Sequence, residues 1–180
     1  MRHIAIAVGL VVLLFTAALQ AQSPKPYPEL KRLDPLVGEW SLEGEAKATP
    51  IGRAGKYTST QTVNWILGGF FLHWDFGLRG PDGEIKGIEI DSYDPVKKVF
   101  RARWWNDDGS ITTGTYTPRG KVIGFSGRTV TPDKQYDLRQ TYTFSADGMS
   151  FTYTDEISMD GKTWMPSNES KGTKVKSPKK

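Results

Sequence analysis

The chain has 180 residues, with 24 Lys or Arg, 20 Asp or Glu, two His and no Cys, for a formal net charge of +4. The absence of cysteine excludes disulfides, and so few histidines leave zinc, iron or haem without an obvious ligand set, so we predict no metal and no cofactor. Taking Arg2 and the five lysines of residues 170–180 from the net charge leaves −2, which argues against a nucleic-acid partner.

The first residues, MRHIAIAVGLVVLLFTAALQAQ, have the order typical of a secretory signal peptide. Arg2 precedes an apolar run, and small residues follow that run. We predict a signal peptide over residues 1–21, cleaved after Ala21, and hence an exported bacterial protein, periplasmic or secreted. The alternative is an uncleaved anchor, because the run is almost long enough to span a bilayer. Residues 22–32 are predicted to form a Pro-rich leader that includes a short helical turn before the first strand.

From Trp40 onward, short runs of alternating apolar and polar residues are separated by turn sequences such as LGG, GPDG, NDDG and ADG. These turns supply the positive φ that tight hairpins need and are too short for crossovers. Nine connections predict about ten strands, each antiparallel to the next. A closed up-and-down barrel would bury the apolar faces and remove the exposed edges, so we predict an all-β barrel over residues 33–169. A two-sheet sandwich is the alternative.

Turn lengths predict a register for the centre of this meander. A three-residue loop at PDG places Trp74 opposite Ile90, and a second such loop at PVK agrees with that assignment. Ile88 and Ile90 then lie inside the barrel, and Glu89 and Asp91 lie outside beside arginines.

His73 is the only histidine after the predicted signal peptide. Beside carboxylates it could be a metal ligand or a general base. The predicted register instead places it on the outer face near Asp91 and Arg101, where such pairing contributes only tenths of a kcal/mol. We therefore interpret His73 as a surface residue and assign no metal site.

Two polar residues are predicted on an inner face that is otherwise aromatic. If Asp147 and Gly148 form a two-residue turn, Gln140 lies directly opposite Asp155. A carboxyl group among aromatic rings needs hydrogen bonds or a raised pKa, which makes Asp155 a candidate ligand anchor. The alternatives are a satisfied buried pair or a strand end that reaches water. The candidate ligand-binding residues are Trp65, Trp74, Trp104, Gln140, Tyr142, Tyr153 and Asp155.

No catalytic residue is assigned, because no serine lies in a nucleophile elbow and no histidine is predicted inside the barrel. Three functions stay open. The first is a module that binds a small apolar or aromatic ligand, and the second is an envelope protein–protein interaction module with a packed barrel. The third is a cofactor-free enzyme that uses Asp155 as its acid or base.

The segment LVGEWSLEGE, residues 36–45, resembles the GxW opening of lipocalin-like, or calycin, barrels. Together with WILGGFFLHWDF, IDSYDPVKKVF and FSADGMSF, it resembles the bacterial family called domain of unknown function 1579, over roughly residues 33–165. This resemblance implies a calycin-type barrel with no settled activity. The related nitrobindin-like barrels bind haem through a histidine late in the chain; no histidine follows His73 here, so that route to haem is not implied.

The entry to the first strand predicts which end of the barrel is closed. We expect Gly38 to permit a tight entry and Trp40 to plug that end. The mouth would then lie among the loops 48–56, 80–83, 106–109, 131–135 and 160–162. Residues 170–180 are predicted to be a basic, disordered tail, for which the only expected partner is a weak contact with an anionic membrane surface.

Overall fold

Ten antiparallel strands close into one barrel in the computed structural model, which describes residues 24–175. Each strand pairs with its neighbours in sequence, and the first strand pairs with the last, so the predicted all-β up-and-down barrel is confirmed. The predicted signal peptide over residues 1–21 lies outside the described residues. Within residues 24–175, no helix has the length and apolar character needed to cross a membrane. The strands are β1 (Gly38–Ala46), β2 (Gly55–Ile66), β3 (Phe71–Gly80), β4 (Gly83–Asp94), β5 (Val99–Asn106), β6 (Ile111–Arg119), β7 (Val122–Val130), β8 (Gln135–Phe144), β9 (Ser150–Ser158) and β10 (Met165–Lys174).

A 3₁₀-helix, Pro28–Leu36, seals the end of the barrel at which β1 begins. Its leucines are buried, and Leu33 and Leu36 belong to the barrel core. The indole Nε1 of Trp40 donates a 2.8 Å hydrogen bond to the carbonyl of Leu36, and its ring packs edge-on against Phe151, with centroids 4.8 Å apart. The predicted helical turn is therefore present, and its apolar face closes the barrel.

Gly38 lies where β1 begins beside the last residue of β10. Its φ is +139°, a conformation that side-chain-bearing residues rarely adopt. A Cβ at this position would also lie 2.3 Å from Cε of Lys174. The backbone conformation is therefore what requires glycine here, and the flexible Lys174 side chain packs over the position.

The barrel extends further than the predicted boundary at residue 169, because β10 continues to Lys174. Lys174 pairs with Trp40 of β1, and Thr173 pairs with Ser150 of β9. Five residues of the predicted tail are therefore strand; residues 176–180 lie outside the described residues. The sequence hides this strand because its inward positions include Gly172, which the ring of Phe151 covers, and Lys174, whose ammonium group lies over the ring of Trp40 at the closed end.

The predicted register of β4 is wrong by one residue on both sides. The β3–β4 turn has two residues rather than three, so Trp74 pairs with Glu89 instead of Ile90. The connection to β5 has four residues, 95–98, and Ile90 pairs with Arg103. A shift of one residue exchanges the two faces of a strand, so every side chain of β4 lies on the face opposite to the one predicted.

The exchange brings two acids into the barrel and places two isoleucines outside. Glu89 and Asp91 are 6% and 0% exposed, whereas Ile88 is 45% exposed and pairs with Trp105 on the outer surface. His73 does lie on the outer face, but its neighbour on β4 is Ile90, and the predicted pairing with Asp91 does not occur. The register of β8 and β9 is confirmed, since Gln140 lies opposite Asp155.

Candidate functional site

The barrel contains a cavity of about 740 Å³ in the half that faces away from the 3₁₀-helix. It reaches the loops that join β1 to β2, β3 to β4, β5 to β6 and β7 to β8. Four of the five loops predicted at the mouth therefore line it, and the β9–β10 loop does not. The opposite half is filled by the leucines of the 3₁₀-helix together with Trp40, Phe144 and Phe151.

Six of the seven predicted ligand-binding residues line this cavity. They are Trp74, Trp104, Gln140, Tyr142, Tyr153 and Asp155. Trp65 does not, because it lies near the closed end, where its Nε1 donates a 2.9 Å hydrogen bond to Oδ1 of Asp34. The alternation pattern predicts the face of a strand but not the height of a residue along the barrel.

Two groups of aromatic rings, together called the aromatic band, form part of the cavity wall and the layer behind it. Tyr142 is at its centre, with ring centroids 5.0 Å from Tyr153 and 6.4 Å from Trp74. It also packs edge-on against Phe151 of the closed end, at 5.4 Å. On the other side of the barrel, the ring of Trp104 lies 4.9 Å from that of Phe125. The band offers flat apolar faces to anything held in the cavity.

Asp155 is a buried carboxyl group on the cavity wall, with 8% of its surface exposed. Its Oδ2 accepts a 3.1 Å hydrogen bond from Nδ2 of Asn168, but among the described residues Oδ1 has no hydrogen-bond partner. Burial raises the pKa of Asp155 to about 7, although the hydrogen bond from Asn168 and the nearby hydroxyl groups of Ser167 and Tyr153 act in the other direction. The group is thus poised between its charged and neutral forms near neutral pH.

Glu89 and Asp91 form a second buried acidic group, which sequence reasoning placed outside the barrel. The hydroxyl of Tyr116 donates a 2.8 Å hydrogen bond to Oε1 of Glu89, and Nε1 of Trp74 donates a 2.7 Å hydrogen bond to Oδ2 of Asp91. No donor group within residues 24–175 is directed at Oδ1 of Asp91. Glu89 lines the cavity, and Asp91 lies behind it in the wall.

Burial and mutual repulsion keep this pair from ionising together. Burial raises the pKa of Glu89 to about 7, opposed by hydrogen bonds from Asp91 and Tyr116. The pKa of Asp91 lies well above its ordinary value because of burial and, after it, the charge of Glu89. Asp91 is therefore the protonated member and donates to Glu89, so the pair carries at most one negative charge near pH 7.

A weak sequence signal for this pair exists in β4. Ile85 and Tyr93 alternate in step with the two acids. The set of β4 residues that points into the barrel therefore has an apolar or aromatic residue near each of its ends. The opposite phase contains Ile88 and Ile90, and apolarity alone favours it. Only the turn lengths decide between the phases, and these differ from the predicted ones by a single residue each.

All three carboxyl groups act on the same part of the cavity. The pKa of Tyr142 is well above its ordinary value because of burial and then the charges of Glu89, Asp155 and Asp91.

The cationic residues that line the cavity are in its mouth, and each has a partner there. Lys47 pairs with Glu169 at 2.8 Å, Arg53 pairs with Asp82 at 2.7 Å, and Lys134 donates to the carbonyl of Pro50 at 3.4 Å. The interior is acidic and aromatic, with no cation of its own among the lining residues.

Metal binding has no support in this arrangement. Among residues 24–175, no three or more His, Asp and Glu side chains are grouped so that they could hold a metal ion. The two acids of β4 are instead bound by the hydrogen-bond donors of Trp74 and Tyr116.

Comparison with known proteins agrees with the fold. The crystal structure of Rv2717c from M. tuberculosis is similar, with a TM-score of 0.61 and 20% sequence identity, over 84% of this chain and 100% of that chain. No curated protein matches the sequence. The model of the family described as "Protein of unknown function (DUF1579)" matches residues 25–173, which include the 3₁₀-helix and all of the barrel except its last strand residue. The chain therefore belongs to the DUF1579 family of proteins of unknown function.

Proposed function

We propose that this protein is an exported, lipocalin-like barrel of the calycin type that binds a small apolar or aromatic molecule in its interior. The observation that carries the proposal is the cavity of about 740 Å³, which is open at one end of the barrel and sealed at the other. Pockets for small molecules in proteins have volumes of roughly 300–1,000 Å³ and apolar walls with a few polar groups. The volume of this cavity lies in that range, and its wall combines aromatic rings with polar side chains, many of them at the mouth.

The interior surface of the barrel favours an occupant with apolar area and hydrogen-bond donors. A cavity forfeits the dispersion contacts that a packed interior would make. The unpartnered Oδ1 of Asp155 adds a desolvation cost of roughly 1–3 kcal/mol. A ligand that fills the space and donates hydrogen bonds would relieve both costs. A packed barrel, as expected for a protein–protein interaction module, would carry neither of these two costs.

Native mass spectrometry of protein purified from its own envelope tests the proposal. A retained small molecule should appear as a mass increment under native conditions and disappear under denaturing ones. Ser59 faces the cavity on β2, whereas the next residue, Thr60, is exposed on the outer surface. Ser59→Trp should therefore abolish the increment, and the matched Thr60→Trp should keep it. An unliganded mass for the natural protein, or an increment that survives in Ser59→Trp, would overturn the proposal.

Export is tested separately by cell fractionation and N-terminal sequencing. The proposal expects the protein in the periplasmic or secreted fraction with Gln22 as its first residue. A cytoplasmic protein that begins at Met1 would contradict it.

A further inference from the structure

We infer that the ligand carries a protonated amine on its apolar or aromatic body, and that Asp155 and the Glu89–Asp91 pair bind this cation. The inference rests on the proposed function, because it names the chemical class of the molecule that the cavity holds.

The first observation is the orientation and isolation of Asp155. It lines the cavity, is more than nine-tenths buried, and has one carboxyl oxygen that no described residue satisfies. Within residues 24–175, the side chain that donates to it in hydrogen-bond geometry is Asn168, and the hydroxyl groups of Ser167 and Tyr153 lie nearby; all three are neutral. An ammonium group has three N–H donors and no acceptor, so it can satisfy the free oxygen and supply the missing counter-charge.

The second observation is an independent acidic group on another strand. Glu89 lines the same cavity from β4, whereas Asp155 lies on β9. Both act electrostatically on the hydroxyl of Tyr142, so a molecule beside this tyrosine experiences both carboxyl groups. Buried carboxylates almost always have a cationic or metal partner, and here the lining side chains provide none inside the barrel.

The third observation is the aromatic band. Trp74, Tyr142 and Tyr153 line the same cavity as Asp155 and Glu89, and a desolvated cation is attracted to the face of an aromatic ring. An anionic ligand would meet repulsion from the carboxyl groups without any compensating cation. A neutral ligand would gain the apolar contacts but leave the acids without a counter-charge.

Binding of a cation should be linked to proton release. The groups that act on Asp155 are Tyr57 from β2, Tyr136, Gln140 and Tyr142 from β8, Tyr153 from β9, and Ser167 and Asn168 from β10, and the charge of the adjacent Glu156 also raises its pKa. The groups that face Glu89 and Asp91 are Trp74, Trp104, Tyr116 and Tyr142. The pKa of each of these tyrosines is raised, so only the carboxyl groups titrate between pH 5 and 8. A cation favours their charged forms, and its affinity should rise with pH across this range.

Isothermal titration calorimetry with three matched probes tests the inference. The probes are 2-(1-naphthyl)ethylamine, 2-(1-naphthyl)ethanol and 1-naphthylacetate, which share one ring system and differ in charge. At pH 8 the amine should bind at least tenfold more tightly than the alcohol, and the acetate should bind most weakly. The preference for the amine should shrink at pH 5.5, where the carboxyl groups are protonated, while the affinity of the alcohol stays within twofold.

Two variants test whether the acids cause the preference for the amine over the alcohol. Asp155→Asn and Glu89→Gln keep the shape of the cavity, and each should reduce the preference for the amine by at least threefold without changing the affinity for the alcohol. Asp75→Asn is the matched control, because Asp75 is exposed on the outer face of β3. Thermal melting establishes that each variant is folded, and the pH series on the natural protein requires no variant.

The outcomes separate this inference from the proposed function. Equal binding of the amine and the alcohol at both pH values, or a preference that survives both acid substitutions, would overturn the cation and leave the binding barrel standing. Failure of all three probes to bind at millimolar concentration would count against the cation as well as against the aromatic site. In that case the retained-ligand experiment decides the proposed function by itself.

Discussion

Nε1 of Trp74 donates a 2.7 Å hydrogen bond to Oδ2 of Asp91, and this is a contact between a cavity-lining ring and a fully buried acid. Trp74→Phe removes this donor. Neither carboxyl oxygen of Asp91 then accepts a hydrogen bond from another strand of the described barrel. We expect a loss of about 1–3 kcal/mol in the free energy of unfolding, measured by urea denaturation. Trp105→Phe, on the outer face of β5, is the control and should cost less.

A double-mutant cycle separates the lost hydrogen bond from lost ring area. Asp91→Leu removes the acceptor, so Trp74→Phe should cost less in that background than in the natural chain. Equal costs in the two backgrounds would show that the hydrogen bond contributes nothing measurable.

The buried acids should make the protein less stable as the pH rises from about 4.5 to 7. In this window the unfolded chain has released the proton of Glu89, but the folded chain retains it, because burial raises the pKa to about 7. Each unit of pH then lowers the free energy of unfolding by about 1.4 kcal/mol for one such group. Asp155, with the same direction of shift, adds to the decline.

Glu89→Gln removes one of these titrations and should flatten the decline without abolishing it. Glu43→Gln, at an exposed position of β1, should leave the profile unchanged. The profile is obtained from urea midpoints between pH 5 and 8. Hydrogen bonds lower the pKa values of Asp82 and Asp160, so protonation of these two residues destabilises the protein only at a more acidic pH. A stability that rises with pH in this window would contradict the assignment.

Gly127 should be far less tolerant of substitution than Gly124 of the same strand. Gly127 faces inward opposite Gly114, and a Cβ there would lie 2.5 Å from Cζ of Phe125 and 2.7 Å from a backbone oxygen. At Gly124 the nearest such atom is 3.9 Å away. We expect Gly127→Ala to cost about 1–3 kcal/mol by overpacking and Gly124→Ala to cost less than about 0.5 kcal/mol, by thermal or urea denaturation.

The effect of C-terminal truncation on stability should depend on whether β10 is kept whole. A chain that ends at residue 169 loses five residues of β10 that pair with both β1 and β9, and the barrel then has an open seam. We expect this chain to unfold at a much lower temperature or to aggregate through its exposed edges. A chain that ends at Val175 keeps all of β10 and is expected to melt within a few degrees of the full chain. Similar melting of the two truncated chains would refute the role of these residues in closure.

Turn chemistry and alternation made the barrel predictable, and they also explain where prediction failed. The β8–β9 connection has five residues, 145–149, rather than the two predicted, but it is centred on Asp147 and Gly148, so the predicted pairing and the inward position of Asp155 are correct. β4 alternates apolar and acidic residues, and local preference puts the isoleucines inside. The acids are inside because neighbouring strands supply donors to them, Trp74 from β3 and Tyr116 from β6, and such a network is invisible in any single strand.

The alternation pattern also could not predict where a residue lies along the barrel axis. Trp65 has the inward phase but lies next to the 3₁₀-helix, and its partner is Asp34 rather than the cavity. Closure by β10 was hidden for a related reason, since a lysine-rich strand with a glycine on its inner face lacks the apolar pattern of the others.

The pairing of β1 with β10 also determines how the barrel presents itself to its surroundings. The 3₁₀-helix packs beneath the closed end, and the pair Trp40–Lys174 places the last strand residue at the same end. A fusion partner, purification tag or surface attached through either end of the described chain therefore lies on the side away from the cavity. Immobilised by one end, the barrel holds its mouth outward into solution, an orientation suited to capturing a molecule that diffuses past it.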